Sequence, residues 1–512
     1  MTVSTSPTSP AIRLAQNVAW NFGGLAWGLC LSFVTTPYII HKLGTDAYGL
    51  LMTVGIVTSY LWFMDLGLGA ATTKYIAEHA ARDEWDHVNR TFWTSLVAYV
   101  VLGGLGALTL LLITPLCVYH WLRIPAQLQK IAVDVFHLSA IGFLIGMVNN
   151  VPASVPRALQ RFDIVNRISL AVGTAQTLAT VILLHLGYSV REVVLGSLIL
   201  AGASLVINSW VARVLLSRWS APRWNSGAFR RLVRFGSFVT VSAVVGPFLL
   251  QFEKVILANQ VSMSALTYYT APFNLVNRLS NFSGAFSSAL FPLFSSLSGT
   301  GREQTTADIN LRVCRYVVLL LAIPVVFFLV FGREFLQFWL GPEFARNSTA
   351  ALQILAVATL LNAAAWSPFT LLQASGRPDV TAKFHLAELV IHIPLTFVCV
   401  RLGGVTGAAW AWFFRVALDT ALIYRAMIRL YAQDWRRWLR ELLSPALGVT
   451  VASGLVLGML RTALRGQLSP VVVLTGLGGP FLVVACLAIW RWGLRRDEHQ
   501  ILIRALLSRQ EA

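Results

Sequence analysis

Residues 91–116, TFWTSLVAYVVLGGLGALTLLLITPL, run without one charged side chain. An α-helix rises about 1.5 Å per residue, so a run of this length crosses a hydrocarbon layer about 30 Å thick. Segments of the same kind recur from end to end. Of 512 residues, 56% are hydrophobic and 12% charged, and the mean hydropathy is +0.67, whereas a soluble domain carries about 25% charged residues. The chain therefore reads as an all-α polytopic membrane protein, with no soluble domain left over. Fourteen spans are predicted, near 16–40, 47–69, 91–116, 131–151, 168–187, 193–216, 233–256, 265–293, 311–332, 349–373, 380–400, 404–426, 441–460 and 470–492. The polar opening MTVSTSPTSPAIR has neither a cationic region nor a small-residue cleavage site, so no removable signal peptide is expected. Five scattered cysteines with no C-x-x-C pair give no disulfide framework and no metal motif.

The loops set the orientation. With charges near a span end assigned to the adjoining loop, 28 of the 40 Lys and Arg fall on the side of the N-terminus and 9 on the other, and Lys254, Arg278 and Arg415 lie inside spans. Lys and Arg mark the cytoplasmic face, so both termini are expected there. The net charge of +18 gathers in short loops such as SRWSAPRWNSGAFRR (217–231) and YAQDWRRWLRE (431–441), beside tryptophans. That pattern suits anionic membrane lipids rather than nucleic acid. The segment TTKYIAEHAARDEWDHVNR (72–90) places Ala77, Ala81, Trp85 and Val88 on one helical face, as an interfacial amphipathic helix would; a solvated connector is the alternative.

The halves of the chain echo each other. FGG (22–24) is answered by FGS (235–237), and VPASVPRALQRFDIV (151–165) by WSPFTLLQASGRPDVT (366–381). Pro152 and Pro368 are 216 positions apart, and so are Asp163 and Asp379. A six-plus-six repeat follows, giving lobes at 1–220 and 221–430 and a C-terminal helix pair at 431–512. Six spans is an even number, so the copies enter from the same side, the parallel kind of transporter repeat.

An ionisable group at bilayer depth costs about 2.5–3.5 kcal/mol on insertion scales, so it faces protein or a wet cavity. Several residues are candidates on this ground. Glu253 and adjacent Lys254 end the seventh span on different faces, and Lys254 either lines a cavity or snorkels. Arg278 sits in the eighth span among Asn274, Asn277, Asn281 and Ser283, a polarity expected of a wet wall. Arg415 and Asp419, spaced i,i+4, either neutralise each other or serve transport. Asp65 closes the second span beside Gly67 and Gly69. Lys74, Arg157 and Arg161 fall at the cytoplasmic mouth, where a phosphate headgroup would arrive. In KFHLAELVIHIP (383–394), His385, Glu388 and His392 share one helical face: either a hydrogen-bonded polar packing or a proton-accepting face, because histidine titrates near pH 6.5. No metal site is expected there.

The stretch PYIIHKLGTDAYGLLMTVGIVTSYLWFMDLGLGAATTKYIAEHAA (37–81), with Pro37, Leu43-Gly44, Ala47-Tyr48-Gly49, Asp65-Leu66-Gly67-Leu68-Gly69 and Lys74-Tyr75, resembles the N-terminal region of the Wzx-type polysaccharide and O-antigen flippases of the multidrug/oligosaccharidyl-lipid/polysaccharide exporter superfamily. Later stretches, RALQRFDIVN and LLQASGRPDVTAK among them, look like the corresponding repeats. The resemblance implies a bacterial inner-membrane transporter, not an enzyme, that moves an undecaprenyl-pyrophosphate-linked glycan to the periplasmic leaflet by alternating access. It implies a proton or sodium gradient as energy source and no cofactor, with a polysaccharide polymerase and a chain-length regulator as partners. The chain departs from the family pattern at Glu253, where an aspartate is usual. Substrate contact is expected from Arg278, Lys254, Arg415, Arg157, Arg161 and Lys74, and ion coupling from His385, Glu388, His392, Glu253 and Asp65. A cation-coupled drug exporter of the same superfamily and a membrane O-antigen polymerase or ligase are the rival readings.

The loop charges make one direct prediction. A reporter fused after Ala512 will report cytoplasm, and one inserted between Asn259 and Ser264 will report the opposite side; the reverse pattern would invert every role above.

Overall fold

The computed structural model describes residues 10–216, 224–297, 303–431, 435–464 and 468–493. Among the described residues every regular element is helical. Internal packing divides the chain into two units, Met1–Thr267 and Tyr268–Ala512. The expected lobe boundary at 220 falls in 217–223; that stretch and both chain ends lie outside the described residues.

The first unit holds α1 (Pro10–Leu43), α2 (Thr45–Leu61), α3 (Leu68–Ala81), α4 (Trp85–Pro115), α5 (Gln129–Ala158), α6 (Phe162–His185), α7 (Val190–Leu215) and α8 (Ser226–Gln260). Proline opens α1 at its first position, where a missing N–H costs nothing. Ser189 and Glu192 form a capping box on α7, and the Asn225 side chain accepts from Ala228 N at 2.7 Å to cap α8. Leu50, Leu68, Ile76, Val88, Phe136 and Met147 are buried in one apolar core. The helix expected over 72–90 is broken: α3 ends at Ala81, Asp83 takes φ 56°, and α4 begins at Trp85. Its apolar stripe therefore never forms one face, and Ala81 is exposed. Near the break His79 Nδ1 lies 2.7 Å from Glu84 Oε2, and that hydrogen bond holds the Glu84 carboxyl below its ordinary range.

The second unit holds α9, which starts in the first unit (Met263–Leu297), α10 (Glu303–Leu340), short α11 (Pro342–Asn347), α12 (Thr349–Ala374), α13 (Pro378–Leu430), α14 (Trp435–Leu442), α15 (Pro445–Ala463), α16 (Pro470–Val473) and α17 (Gly479–Ala488). Buried polar contacts tie α10 to α12: Ser367 Oγ donates to Asn310 Oδ1 at 2.6 Å. The C-terminal helices settle on α10 through Val326, Phe331, Val473 and Phe481. Arg461 reaches Glu334 across that contact at 2.9 Å. The basic loop at 431–441 is not a free cationic patch, because α14 buries Trp438 and pairs Arg437 with Asp308 at 2.9 Å and Glu441 with Arg315 at 3.2 Å.

Helices cover most of the predicted spans, although the one at 47–69 breaks at Leu66 and Gly67, and ten helical segments among the described residues are long and apolar enough to cross a membrane. One of them, α13, contains two predicted spans. It folds back at Gly404, whose φ of 51° and ψ of −122° are non-helical. The arms then touch so closely that a Cβ on Gly407 would sit 1.8 Å from the Cys399 carbonyl oxygen.

The sequence repeat is visible in backbone detail where α5 meets α6 and α12 meets α13. Gln160 and Gly376, 216 positions apart, both take positive φ, 56° and 75°. Arg161 N donates to Pro156 O and Arg377 N to Leu372 O, at the same offset. Each loop then closes with an arginine bonded to the aspartate two residues on, Arg161 to Asp163 at 3.0 Å and Arg377 to Asp379 at 3.4 Å.

The hairpin predicts a local packing limit. Gly407→Ala should lower folded protein yield and melting temperature, at a cost of about 1–3 kcal/mol for overpacking, while Gly403→Ala, with open space at its Cβ, should be silent. Equal behaviour of the two in a thermal-shift assay would remove the close approach from the account of this hairpin.

Candidate functional site

The first arm of α13 is polar inside and apolar outside. Glu388, His392 and Thr396 recur every four residues and are buried, whereas Val390 and Leu402 are 73% and 83% exposed. Residues at i and i+4 share a helical face, so this is an amphipathic helix with its polar stripe inward, as an apolar solvent requires.

The hairpin sets the second arm against that stripe. Arg415 Nη1 donates to Glu388 Oε2 at 3.4 Å, with both side chains buried. The expected neutralisation of Arg415 by Asp419 one turn away does not occur; the arginine turns to the other arm. Asp419 instead joins His385 and Glu388, and one ligand atom from each of these three lies within 4.8 Å of the others. Glu388 Oε1, Asp419 Oδ1 and Arg415 Nε have no hydrogen-bond partner. His385 stacks on Phe369 of α12, with ring centroids 5.9 Å apart. His392, expected as the third member, is one turn away near Thr396 Oγ1 at 3.4 Å and does not belong to the group. The group presents three metal-ligating side chains, but Arg415 already brings a fixed positive charge to Glu388, which opposes a second cation at the same carboxylate. α12, packed against α13, carries no ionisable residue, and Phe273 of α9 meets Trp412 edge-on at 5.2 Å.

The remaining candidates are dispersed. Asp65 ends the single 3₁₀ turn after α2 and accepts a hydrogen bond from the Tyr99 hydroxyl of α4. Gly69 admits that contact, since its Cβ would stand 3.1 Å from the Tyr99 oxygen. Tyr99 lies in the uncharged stretch 91–116; as a buried hydroxyl it had to find a partner, but only the fold names Asp65. Arg157, exposed at the end of α5, is within electrostatic reach of Tyr99. Lys74 is exposed, its Nζ 5.2 Å from the Tyr75 ring centroid.

Arg161 meets Asp163 in a two-point contact at 3.0 and 3.1 Å, with both side chains exposed. Glu253 is fully buried and acts electrostatically on Tyr60 of α2. Lys254 does not snorkel: it is 4% exposed and donates to Gln251 Oε1 at 2.7 Å and Leu250 O at 3.3 Å. Arg278 is half-buried on α9; the side chains of Asn281 and Ser283 lie outside the described residues.

Comparison with known proteins places this arrangement. A Shigella flexneri protein named as a candidate O-antigen transporter is 26% identical over 426 residues, covering 82% of this chain and all of the relative. The Escherichia coli K12 lipopolysaccharide biosynthesis protein WzxC is 23% identical over 52% of this chain and 54% of its own length. Among solved structures, the lipid II flippase MurJ in an inward closed conformation aligns with a TM-score of 0.69 over 96% of this chain and all of MurJ, at 9% identity. An inward-facing multidrug resistance transporter of the same superfamily gives 0.61 over 82% of this chain and 96% of its own, at 14% identity. These likenesses at low identity speak for the fold. The family model for polysaccharide biosynthesis proteins matches residues 14–298, more than half of the chain, which therefore belongs to that family.

Proposed function

We propose that this protein is a flippase of the bacterial inner membrane that carries an undecaprenyl-pyrophosphate-linked oligosaccharide, an O-antigen, exopolysaccharide or capsule repeat unit, from the cytoplasmic to the periplasmic leaflet. In this reading the chain crosses the membrane fourteen times with both ends in the cytoplasm, works by alternating access, and hands its cargo to a polymerase and a chain-length regulator. The name of the Shigella flexneri relative supports a transporter rather than an enzyme. The observation that carries the reading is the buried group on the α13 hairpin.

Charge balance gives the group its role. Two carboxylates against one guanidinium leave one negative charge, and an uncompensated charge away from water is expensive. One proton, held among His385, Glu388 and Asp419, brings the group to neutrality. The proton belongs to the group rather than to one residue. Gain and loss of that proton from opposite sides is a means of coupling to a pH gradient, and Arg415 disfavours sodium in the same place.

Two variants test this at different levels. Glu388→Gln keeps the shape and an acceptor for Arg415 but removes a titratable charge; in proteoliposomes, movement of the lipid-linked glycan should fall and cease to respond to an imposed pH gradient. A Gln variant that responds as the native protein does would leave the group as structural packing. Glu388→Leu leaves Arg415 buried without its partner and should cost about 3–5 kcal/mol of stability, while Glu388→Leu combined with Arg415→Leu should restore folded protein without restoring transport.

A further inference from the structure

The 216-residue offset gives the charge group a counterpart position in the other repeat. His385 and Glu388 correspond to Ser169 and Val172 on α6. Both of those residues line a half-open cavity of about 330 Å³ formed by α5, α6 and α7. Where one repeat fills this position with long charged side chains, the other keeps short ones and leaves space.

The cavity wall is built rather than incidental. Asn208 of α7 is 6% exposed, and its Nδ2 donates to Asn149 Oδ1 of α5 at 3.1 Å and to Ser204 O at 3.0 Å. Asn149 Nδ2 reaches Ser204 Oγ at 3.5 Å. These contacts fix the amides, and among the described residues no donor meets Asn208 Oδ1. Ile168 and Val172 supply apolar walls, and Arg157 stands at the rim. No carboxylate lines the space, so an organic cation finds no counter-charge. Ligand pockets run from roughly 300 to 1,000 Å³, which puts this one at the size for a single small group.

We infer that this cavity receives one neutral sugar ring of the carried glycan: hydroxyls meet the Asn149–Asn208–Ser204 amide and hydroxyl wall, C–H faces meet Ile168 and Val172, and Arg157 meets the phosphate beside the ring. The inference rests on the flippase reading and adds to it a place that distinguishes sugar-bearing lipid from bare lipid.

The test compares two probes bound to the full-length protein in nanodiscs: the undecaprenyl-pyrophosphate-linked glycan extracted from the host, and undecaprenyl pyrophosphate without sugar. The native protein should bind the glycan-bearing lipid at least tenfold more tightly. Gly173→Leu adds a bulky apolar side chain at the cavity lining, where nothing lies within 4 Å of a Cβ; it should erase the tenfold difference and leave affinity for the bare lipid unchanged. Asn208→Leu should do the same, its folding checked by thermal shift. If native protein and Gly173→Leu both prefer the glycan-bearing lipid tenfold, the cavity is not the sugar site and the flippase reading stands. Equal affinity of the native protein for the two lipids overturns the sugar pocket alone. Binding of neither lipid overturns the flippase reading and the pocket with it.

Discussion

The absence of water around a membrane helix is the constraint on which the second unit depends. In lipid a carboxylate or guanidinium has no solvent to fall back on, so Glu388 and Arg415 must find each other, and they are 27 positions apart on a helix that would carry them away from each other if it stayed straight. The reversal at Gly404 and the near-contact of Gly407 with the Cys399 carbonyl solve this. The ion pair therefore depends on the sharp turn: without the turn the charges are stranded. Asp419 and His385 complete the group because the antiparallel register that sets Glu388 against Arg415 also sets His385 against Asp419.

The same constraint explains the quieter polar contacts. Tyr99 donates to Asp65, Lys254 turns to Gln251 and a backbone carbonyl, and Asn149, Ser204 and Asn208 bond one another. Each is a polar side chain on an otherwise apolar helix, and each closes on a neighbour in its own unit. The α13 group differs in that its closure is incomplete: two carboxylate oxygens and one guanidinium nitrogen remain without partners. A structural network is usually satisfied in full, and each exception calls for a specific explanation. Here the proposed explanation is a place kept for a proton.

Duplication followed by divergence connects this group to the cavity between α5, α6 and α7. The loop that begins α6 and the loop that begins α13 share positive-φ residues, hydrogen bonds and an Arg–Asp closure at one constant offset. Such loops are expensive to keep unless they set the entry of the following helix. They aim α6 and the first arm of α13 in the same way, and the residues two turns further on then differ: Ser169 and Val172 in one, His385 and Glu388 in the other. One scaffold thus supports an open polar cavity in the first repeat and a filled ionic group in the second.

The sequence by itself determined the solvent, the helices and the repeat. Runs such as 91–116 have a length and apolarity that only a bilayer explains, Lys and Arg counts do not depend on folding, and a repeat of 216 is visible in unaligned text. Its periodicity also placed Glu388 on the inner face of its arm, because i,i+4 spacing is a property of any helix. What it got wrong are pairings between distant positions. It joined His392 to Glu388 and Arg415 to Asp419, since neighbours along one helix are all that spacing can report. It could not show that Arg161 pairs with Asp163, and of its two readings of 72–90, one amphipathic helix or a connector, the left-handed backbone at Asp83 breaks the first. Only the tertiary structure decided that Asp419 completes the group, that Tyr99 answers Asp65, and that Asn149 and Asn208 share a cavity. The physical reason is that a hydrogen bond or ion pair requires about 3 Å between two atoms, and for residues dozens of positions apart that distance is set by turns and packing that no local pattern encodes.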